Sequence, residues 1–287
     1  MRYIKHSQNF IRSTYLVDKL IRKSGIKSSD IVLEIGSGTG VITERLCKVA
    51  GKVISIEKDT KLYEISKQRL KRFNNLKIIN SDFKNYNLKD IEYKCFSNIP
   101  FYFTSDIVRK LLFNPNAPKS AQLFMQKEAA ERFLSSRKTT QISLLLKPIF
   151  KSEIIYKFRR NDFKPVPSVD VVLVFFTKRS TPDICRKNYD SYRDFITFCF
   201  NQWKMNVKFA LKKIFSYQQL QMLYKELGFN LIDKPSNLDY EQWLGLFGFI
   251  IKHMDQVNTD AFNNYSKLLK IRHKKKHSEY RSCIFRL

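Results

Sequence analysis

Up to residue 178 the chain alternates short apolar runs with stretches of helical spacing. IVLEIG (31–36), KVISIEK (52–58), LKIINSD (76–82), CFSNIP (95–100) and AQLFMQ (121–126) are β-branched or aromatic runs, each ending near Gly, Asp, Asn or another turn-prone residue. Between them, VITERLCKVA (41–50) and TKLYEISKQRLKRF (60–73) repeat their apolar positions every three to four residues. Strands alternating with helices predict an α/β fold around a parallel sheet. Two later runs, SEIIYKFRR (152–160) and DVVLVFFTK (170–178), flank NDFKPVPS and predict an antiparallel edge to that sheet.

The pattern changes after Lys178-Arg179-Ser180-Thr181-Pro182. From there to about residue 270 it is helical, as in DSYRDFITFCFNQ (190–202) and SYQQLQMLYKELG (216–228). The second of these begins at Ser216, a residue suited to an N-cap, and ends at Gly228, suited to a C-cap. A basic stretch, KIRHKKKH (270–277), follows. The expected organisation is an α/β domain over 1–178, a smaller helical domain over 179–270 and a basic tail over 271–287.

Composition narrows the partners. The 287 residues include 53 Lys and Arg against 26 Asp and Glu, a formal charge of +27. A field of that sign and size favours a polyanion, nucleic acid first among them. The longest apolar runs, VVLVFF (171–176) and WLGLFGFII (243–251), fall short of the ~20 residues a membrane-spanning helix needs. The N-terminus, MRYIKHSQNF, lacks an apolar signal core. Five scattered cysteines without a CxxC pair, and four dispersed histidines, predict reduced thiols in a cytoplasm and no metal site.

EIGSGTG (34–40) stands where a strand turns into a helix, and its glycines let backbone approach a ligand closely. The spacing is GxGxG, at Gly36, Gly38 and Gly40. A dinucleotide fingerprint would need Gly or Ala where this chain has Val41. Glu57 ends the next strand, where a carboxylate accepts hydrogen bonds from ribose hydroxyls. Asp82 closes the strand after that, placed for an adenine amino group. Each acid alone is an ordinary strand terminator. Together with the glycine turn they predict a site for an adenosine ligand without pyrophosphate, of which S-adenosylmethionine is the commonest.

SNIPFYFTS (97–105) follows the fourth strand and holds three adjacent rings that cannot all face one core. The exocyclic N6 of adenine is a poor nucleophile because its lone pair delocalises into the ring. Two acceptors on its hydrogens, the Asn98 side-chain oxygen and a backbone carbonyl of the Ile99-Pro100 turn, draw the nitrogen toward tetrahedral geometry. Phe101 then offers an exposed ring on which a flipped-out base stacks. The alternative is a strand that ends in core aromatics.

SQNF (7–10), EIGSGTG, IEKD (56–59), NSDF (80–83), NIPF (98–101), MQKEAAERF (125–133) and FKPVPSVD (163–170) occur in the order seen in rRNA adenine-N6 methyltransferases. The chain resembles the Erm family most, over about residues 2–178 by motif and beyond by size and class. The resemblance implies a Rossmann-like S-adenosylmethionine-dependent methyltransferase sheet with a smaller C-terminal helical domain that binds RNA. Its implied substrate is an adenine of 23S rRNA, free or in an immature large-subunit precursor. The implied outcome is resistance to macrolide, lincosamide and streptogramin B antibiotics, through a protein acting as a monomer. By position, Gln8, Asn9 and Ile11 are expected to line the methionine end of the cofactor and Gly36 to contact it. Glu57 is expected to hold the ribose, and Asp82 with Phe83 the adenine. Asn98 and Phe101 are expected to handle the target base, with Phe163 as its opposite wall. Many relatives carry Tyr where this chain has Phe101, so a hydroxyl contact is lost. The nearest rival is the 16S rRNA dimethyladenosine transferase of ribosome assembly, more typically GQNF and NLPY. A methyltransferase-like nucleic-acid-binding factor without catalysis is the other, against which Glu57, Asp82 and Asn98 argue.

Overall fold

A computed structural model describes residues 9–88, 91–135, 138–203 and 206–271. Nine strands occur among them: β1 Phe10–Ile11, β2 Ile31–Ile35, β3 Lys52–Glu57, β4 Leu76–Asn80, β5 Lys94–Asn98, β6 Ser120–Gln126, β7 Phe150–Lys157, β8 Phe163–Lys164 and β9 Val171–Lys178. Seven form one sheet in the order β4-β3-β2-β5-β6-β9-β7. The pairs from β4 through β6 are parallel, while β9 runs antiparallel to both β6 and β7. The apolar runs match these strands, including the antiparallel edge. The mostly parallel sheet and the C-terminal helices are the expected fold class. The short strands β1 and β8 pair separately, Ile11 opposite Phe163.

Strand β2 is buried along nearly its whole length, as a central parallel strand must be. The helices α1 (Thr14–Lys23), α2 (Val41–Cys47), α3 (Thr60–Leu70), α4 (Thr104–Leu112) and α5 (Lys127–Leu134) complete the first compact unit. The sequence of α1 shows why it forms: Ser13 accepts from the Leu16 N–H at its start, and Leu16, Val17, Leu20 and Ile21 make one buried face. Asp59 caps α3 in the same way through Lys61 and Leu62. Glu44 joins α2 to Arg69 of α3 and to Arg72 just beyond its end.

Internal contacts divide the chain into two units, residues 1–134 with 150–180, and residues 135–149 with 181–287. A division by chain order at 178 places Ser135–Ile149 with the sheet, whereas its contacts are with the helical unit. That segment holds α6 (Gln141–Leu146), begun by a Thr140–Ser143 capping box. The rest of the unit holds α7 (Arg186–Phe200), α8 (Val207–Leu211), α9 (Tyr217–Glu226) and α10 (Tyr240–Lys252). The Tyr192 hydroxyl donates to the Leu144 carbonyl and the Tyr189 hydroxyl to that of Leu145, tying α6 to α7. The core is aromatic: Phe195 meets the rings of Trp243, Phe247 and Phe262, all buried. The expected caps of α9 are present, with Ser216 accepting from Gln219 and Gly228 left-handed at φ +67°. Most of the basic tail, from Arg272 onward, lies outside the described residues.

One carboxyl is fully buried beneath the glycine turn. Glu34 Oε2 accepts from the Thr43 hydroxyl of α2 at 2.6 Å and the Ser55 hydroxyl of β3 at 2.7 Å, while Oε1 has no partner among the described residues. Burial pushes its pKa up to about 7, against those two hydrogen bonds and with the Glu57 charge adding to the rise. The folded state therefore favours the protonated acid. Its contribution to stability is complete below the unfolded value of 4.5 and is lost as pH rises to about 7. The difference amounts to about 3 kcal/mol, since each tenfold change in proton affinity is worth about 1.4 kcal/mol. Urea unfolding at mildly acidic and mildly alkaline pH is expected to show wild type losing that much relative to Glu34→Gln. Parallel pH profiles for the two proteins would mean Glu34 does not titrate in this range.

Candidate functional site

The cleft begins where β2 and β5 separate. Their ladder pairs Val32 with Lys94 and Leu33 with Cys95, and beyond that the Ile35 N–H is taken by the Ser97 hydroxyl. At this point the chain switches direction across the sheet, from β2 toward β3 on one side and from β4 back to β5 on the other. Open α/β sheets bind ligands at such a switch, at the carboxyl ends of the strands. Two adjoining cavities lie here and share Gly36, Glu57 and Pro100 in their walls.

The glycine turn supplies the floor. Gly36, Gly38 and Gly40 all have positive φ, at +87°, +53° and +83°. Gly36 lines both cavities. A Cβ on Gly38 would stand 2.7 Å from Cε1 of Phe10, so that ring packs directly on the loop. Gly40, expected among the cofactor contacts, lines neither cavity; its Cα faces α3, where a Cβ would meet Leu70 at 3.0 Å and Ser66 at 3.6 Å. Its part is in turning the chain and packing α2 close to α3.

Glu57, only 3 % exposed, organises this loop. Its Oε2 accepts from the Gly38 N–H and its Oε1 from the Asp59 N–H, both at 2.9 Å. Each oxygen keeps lone-pair capacity toward the cleft. Asp82 and Phe83 line the second cavity. Asp82 accepts from the Lys84 N–H at 2.9 Å and pairs with Lys58 Nζ at 2.8 Å. Partial burial raises its pKa, but the Lys58 and Lys84 hydrogen bonds outweigh that and hold the carboxyl below its ordinary range. Phe103 completes this end. Lys84 and Lys58 place their ammonium groups 4.5 and 5.5 Å from its ring centre, an electrostatic frame that motif reading missed.

At the other end, Asn98 Nδ2 donates to the Asn9 carbonyl at 2.7 Å. With the amide nitrogen fixed on a carbonyl, the side-chain orientation is set and Oδ1 is the atom left to accept. Asn9, Phe10, Ile11, Asn98 and Phe101 all line the first cavity. Phe10 closes the SQNF motif, and its ring forms part of the cavity wall beside the glycine turn. Gln8 lies outside the described residues. After Asn98, Pro100 opens a 3-10 turn, Phe101–Phe103, in which the Phe103 N–H bonds the Pro100 carbonyl.

Two rings are less exposed than expected. The most exposed ring of the three is Tyr102, at 75 %, while Phe101 is half-buried, with one part packed on the core and another lining the cavity. Phe163, expected as the opposite wall, is fully buried. The β1–β8 pairing turns it inward, where it packs edge-on against Phe158 at 5.2 Å between ring centres.

A glycine turn, a buried acid, a second acid beyond the next strand and an amide-proline-aromatic corner line one edge of a parallel sheet. They line two adjoining cavities at the carboxyl ends of the parallel strands, where an open α/β sheet binds its ligands. Residues 3–252 match the family described as ribosomal RNA adenine dimethylase. The chain belongs to that family and is an S-adenosylmethionine-dependent rRNA adenine methyltransferase of the Erm type. An rRNA adenine N-6-methyltransferase of Limosilactobacillus reuteri is 33% identical over 85% of this chain and 95% of its own. Ribosomal RNA small subunit methyltransferase A of Caldanaerobacter subterraneus is 30% identical over 84% of this chain and 94% of its own. The crystal structure of the 23S rRNA methyltransferase ErmE superposes with a TM-score of 0.76 at 25% identity, covering 84% of this chain and 98% of that one. Among the described residues no helix is long and apolar enough to cross a membrane, and no group of three His, Cys, Asp or Glu could hold a metal.

Gly38→Ala tests the loop. The left-handed backbone costs a side chain about 1–2 kcal/mol, and the new methyl forces Phe10 to shift at the cavity wall. The expected result is a lower melting temperature together with weaker S-adenosylmethionine binding by calorimetry. Affinity and melting temperature both equal to wild type would show that the loop does not hold this shape in solution.

Proposed function

We propose that this chain transfers methyl groups from S-adenosylmethionine to N6 of a specific adenine in 23S rRNA, giving resistance to macrolide, lincosamide and streptogramin B antibiotics. The observation that carries this reading is the Asn98–Asn9 hydrogen bond. It joins NIPF to SQNF, the two segments in which the sequence leans toward the resistance enzymes, at a single corner of the cleft. The small-subunit reading is supported by the similarity to the Caldanaerobacter enzyme.

The residues present fit the methyl donor. Gly36 keeps backbone open beside Asn98, Glu57 offers acceptors for a ribose, and Asp82 with Phe83 and Phe103 frames a purine. When bound, S-adenosylmethionine supplies an electrophilic methyl group. The chain's own work is on the acceptor. Asn98 Oδ1 accepts a hydrogen bond from one N6–H. A backbone carbonyl of the Ile99-Pro100 turn, which lines the same cavity, accepts from the other. The Asn98 acceptor is held in place by its bond to the Asn9 carbonyl, so little reorganisation is needed there as the nitrogen pyramidalises. The cavity side of Phe101 carries the base, and its packed side keeps the ring from swinging away.

The test is to incubate the protein with labelled S-adenosylmethionine and either protein-free 23S rRNA or assembling small subunits, then map primer-extension stops. Label in 23S rRNA at one adenine is expected. Label confined to 16S rRNA would assign the chain to ribosome assembly instead.

Asn98→Ala is expected to lower turnover by about 10²- to 10³-fold, the range for removing one fixed acceptor or donor at a developing charge, with both ligands still bound. A folded variant turning over at the wild-type rate would remove Asn98 from the chemistry. Phe101→Ala is expected to lose about 5- to 150-fold in methyl transfer, as loss of one base-stacking contact does, with Phe101→Tyr retaining most of it. A large fall in melting temperature with normal specific activity in Phe101→Ala would show that the ring only packs.

A further inference from the structure

The helical unit carries a feature that the cleft does not use. Trp203 is 90 % exposed, the most exposed large apolar side chain among the described residues. It follows the end of α7 on a well-braced pedestal. Asn201 Nδ2 donates to the Thr197 carbonyl at 2.7 Å, and Gln202 Nε2 donates to the Phe198 carbonyl at 2.8 Å. Gln202 Oε1 in turn accepts from Lys213 Nζ at 2.9 Å, which brings an ammonium group to the residue preceding the indole. Leaving a tryptophan in water forfeits the burial of a large apolar side chain, and the hydrogen bonds beneath it limit its escape into a core.

The surroundings are cationic. The chain has no Asp or Glu from Phe195 to Lys225. Lys213 and Lys212 both reach the ring of Phe209, at 4.8 and 5.3 Å from its centre, so two like charges gather around one aromatic ring. Lys208, one turn earlier, is exposed, and none of the three has a carboxylate partner among the described residues. Asp233, whose carbonyl accepts from the Val207 N–H, has its carboxylate engaged by the Asn230 N–H.

We propose that Trp203 with Lys208, Lys212 and Lys213 forms a second RNA contact, in which an unpaired base of the RNA substrate stacks on the indole and the lysines hold the adjoining phosphates. Every base presents a π-face to such a platform, and the lysines add attraction that depends on salt and not on sequence. The contact gives affinity for single-stranded RNA apart from the reacting adenine. It rests on the reading of this chain as an RNA-modifying enzyme.

The chain has two tryptophans, and the other, Trp243, is fully buried. Emission quenched by an added ligand therefore reports on Trp203. Titration of the full chain with a short single-stranded oligoadenylate is expected to quench the emission, and Trp203→Ala, which retains Trp243, to abolish the quenching. Affinity, followed by anisotropy of labelled oligoadenylate, is expected to fall about 5- to 150-fold in Trp203→Ala. Trp203→Phe, which keeps a ring, is expected to keep most of the affinity. Lys212→Gln and Lys213→Gln are each expected to reduce the slope of log affinity against log salt by about 0.7. Such an exposed residue leaves folding intact when truncated, and melting temperature checks it. Oligoadenylate affinity unchanged in Trp203→Ala would overturn the proposal. So would quenching by anionic vesicles and not by RNA, which would assign the patch to a membrane surface. Methyl transfer to rRNA by the wild-type protein is measured alongside. Its failure would sink the parent reading, whereas intact transfer with unchanged oligoadenylate binding in Trp203→Ala would sink this one alone.

Discussion

Past Leu33 and Cys95, the neighbouring strands β2 and β5 stop exchanging ladder hydrogen bonds, and the Ser97 hydroxyl satisfies the Ile35 N–H that would otherwise be orphaned. A buried amide left without a partner costs about 1–3 kcal/mol, so the sheet can open here only because a side chain takes over. The opening sends the glycine turn to one side and NIPF to the other. Glu57 then bridges back from β3 to the Gly38 N–H, and Asn98 bridges to the Asn9 carbonyl. The cleft is a gap in the sheet whose two lips are each fastened by one side chain.

The fastening side chains are graded by environment. Glu34, beneath the turn, is buried so completely that it favours the neutral acid. Glu57, one strand over, is also buried, yet both of its oxygens receive backbone N–H groups. Asp82, farther out, is held as an anion by Lys58. Three acids along one sheet edge thus hold three different parts: a buried brace under the loop, a backbone clamp and a solvated ion pair. Only the outer two lie where a ligand can touch them.

The strands were legible because a parallel sheet buries both faces and writes its runs in Val, Ile, Leu and Phe. Gly36, Glu57, Asp82 and Asn98 were legible because each stands at the end of such a run. What local pattern cannot carry is the direction of a side chain set by a distant partner. The Asn9 carbonyl lies 89 residues from the amide it fixes. Phe163 is indistinguishable in sequence from an exposed ring until β1 pairs with β8 and turns it inward. Among Phe101, Tyr102 and Phe103, the 3-10 turn decides which ring meets the cavity and which meets water. Gly40 follows the same rule, since the α3 side chains that crowd it lie more than twenty positions on.

The chain passes between its two units at residues 134–135, 149–150 and 180–181. On the ribosome, α6 leaves the exit tunnel with its apolar residues Ile142, Leu144, Leu145 and Leu146 and finds no partner. The tyrosines that receive its carbonyls, Tyr189 and Tyr192, have yet to be translated. The surrounding strands face the same delay, because β7 pairs with β9, which comes after it. Nascent chains expose adhesive surface for as long as such waits last. In a chain of this connectivity the helical unit is not complete until residues beyond 180 have been made, and a clean two-piece dissection at residue 180 would leave one helix on the wrong fragment.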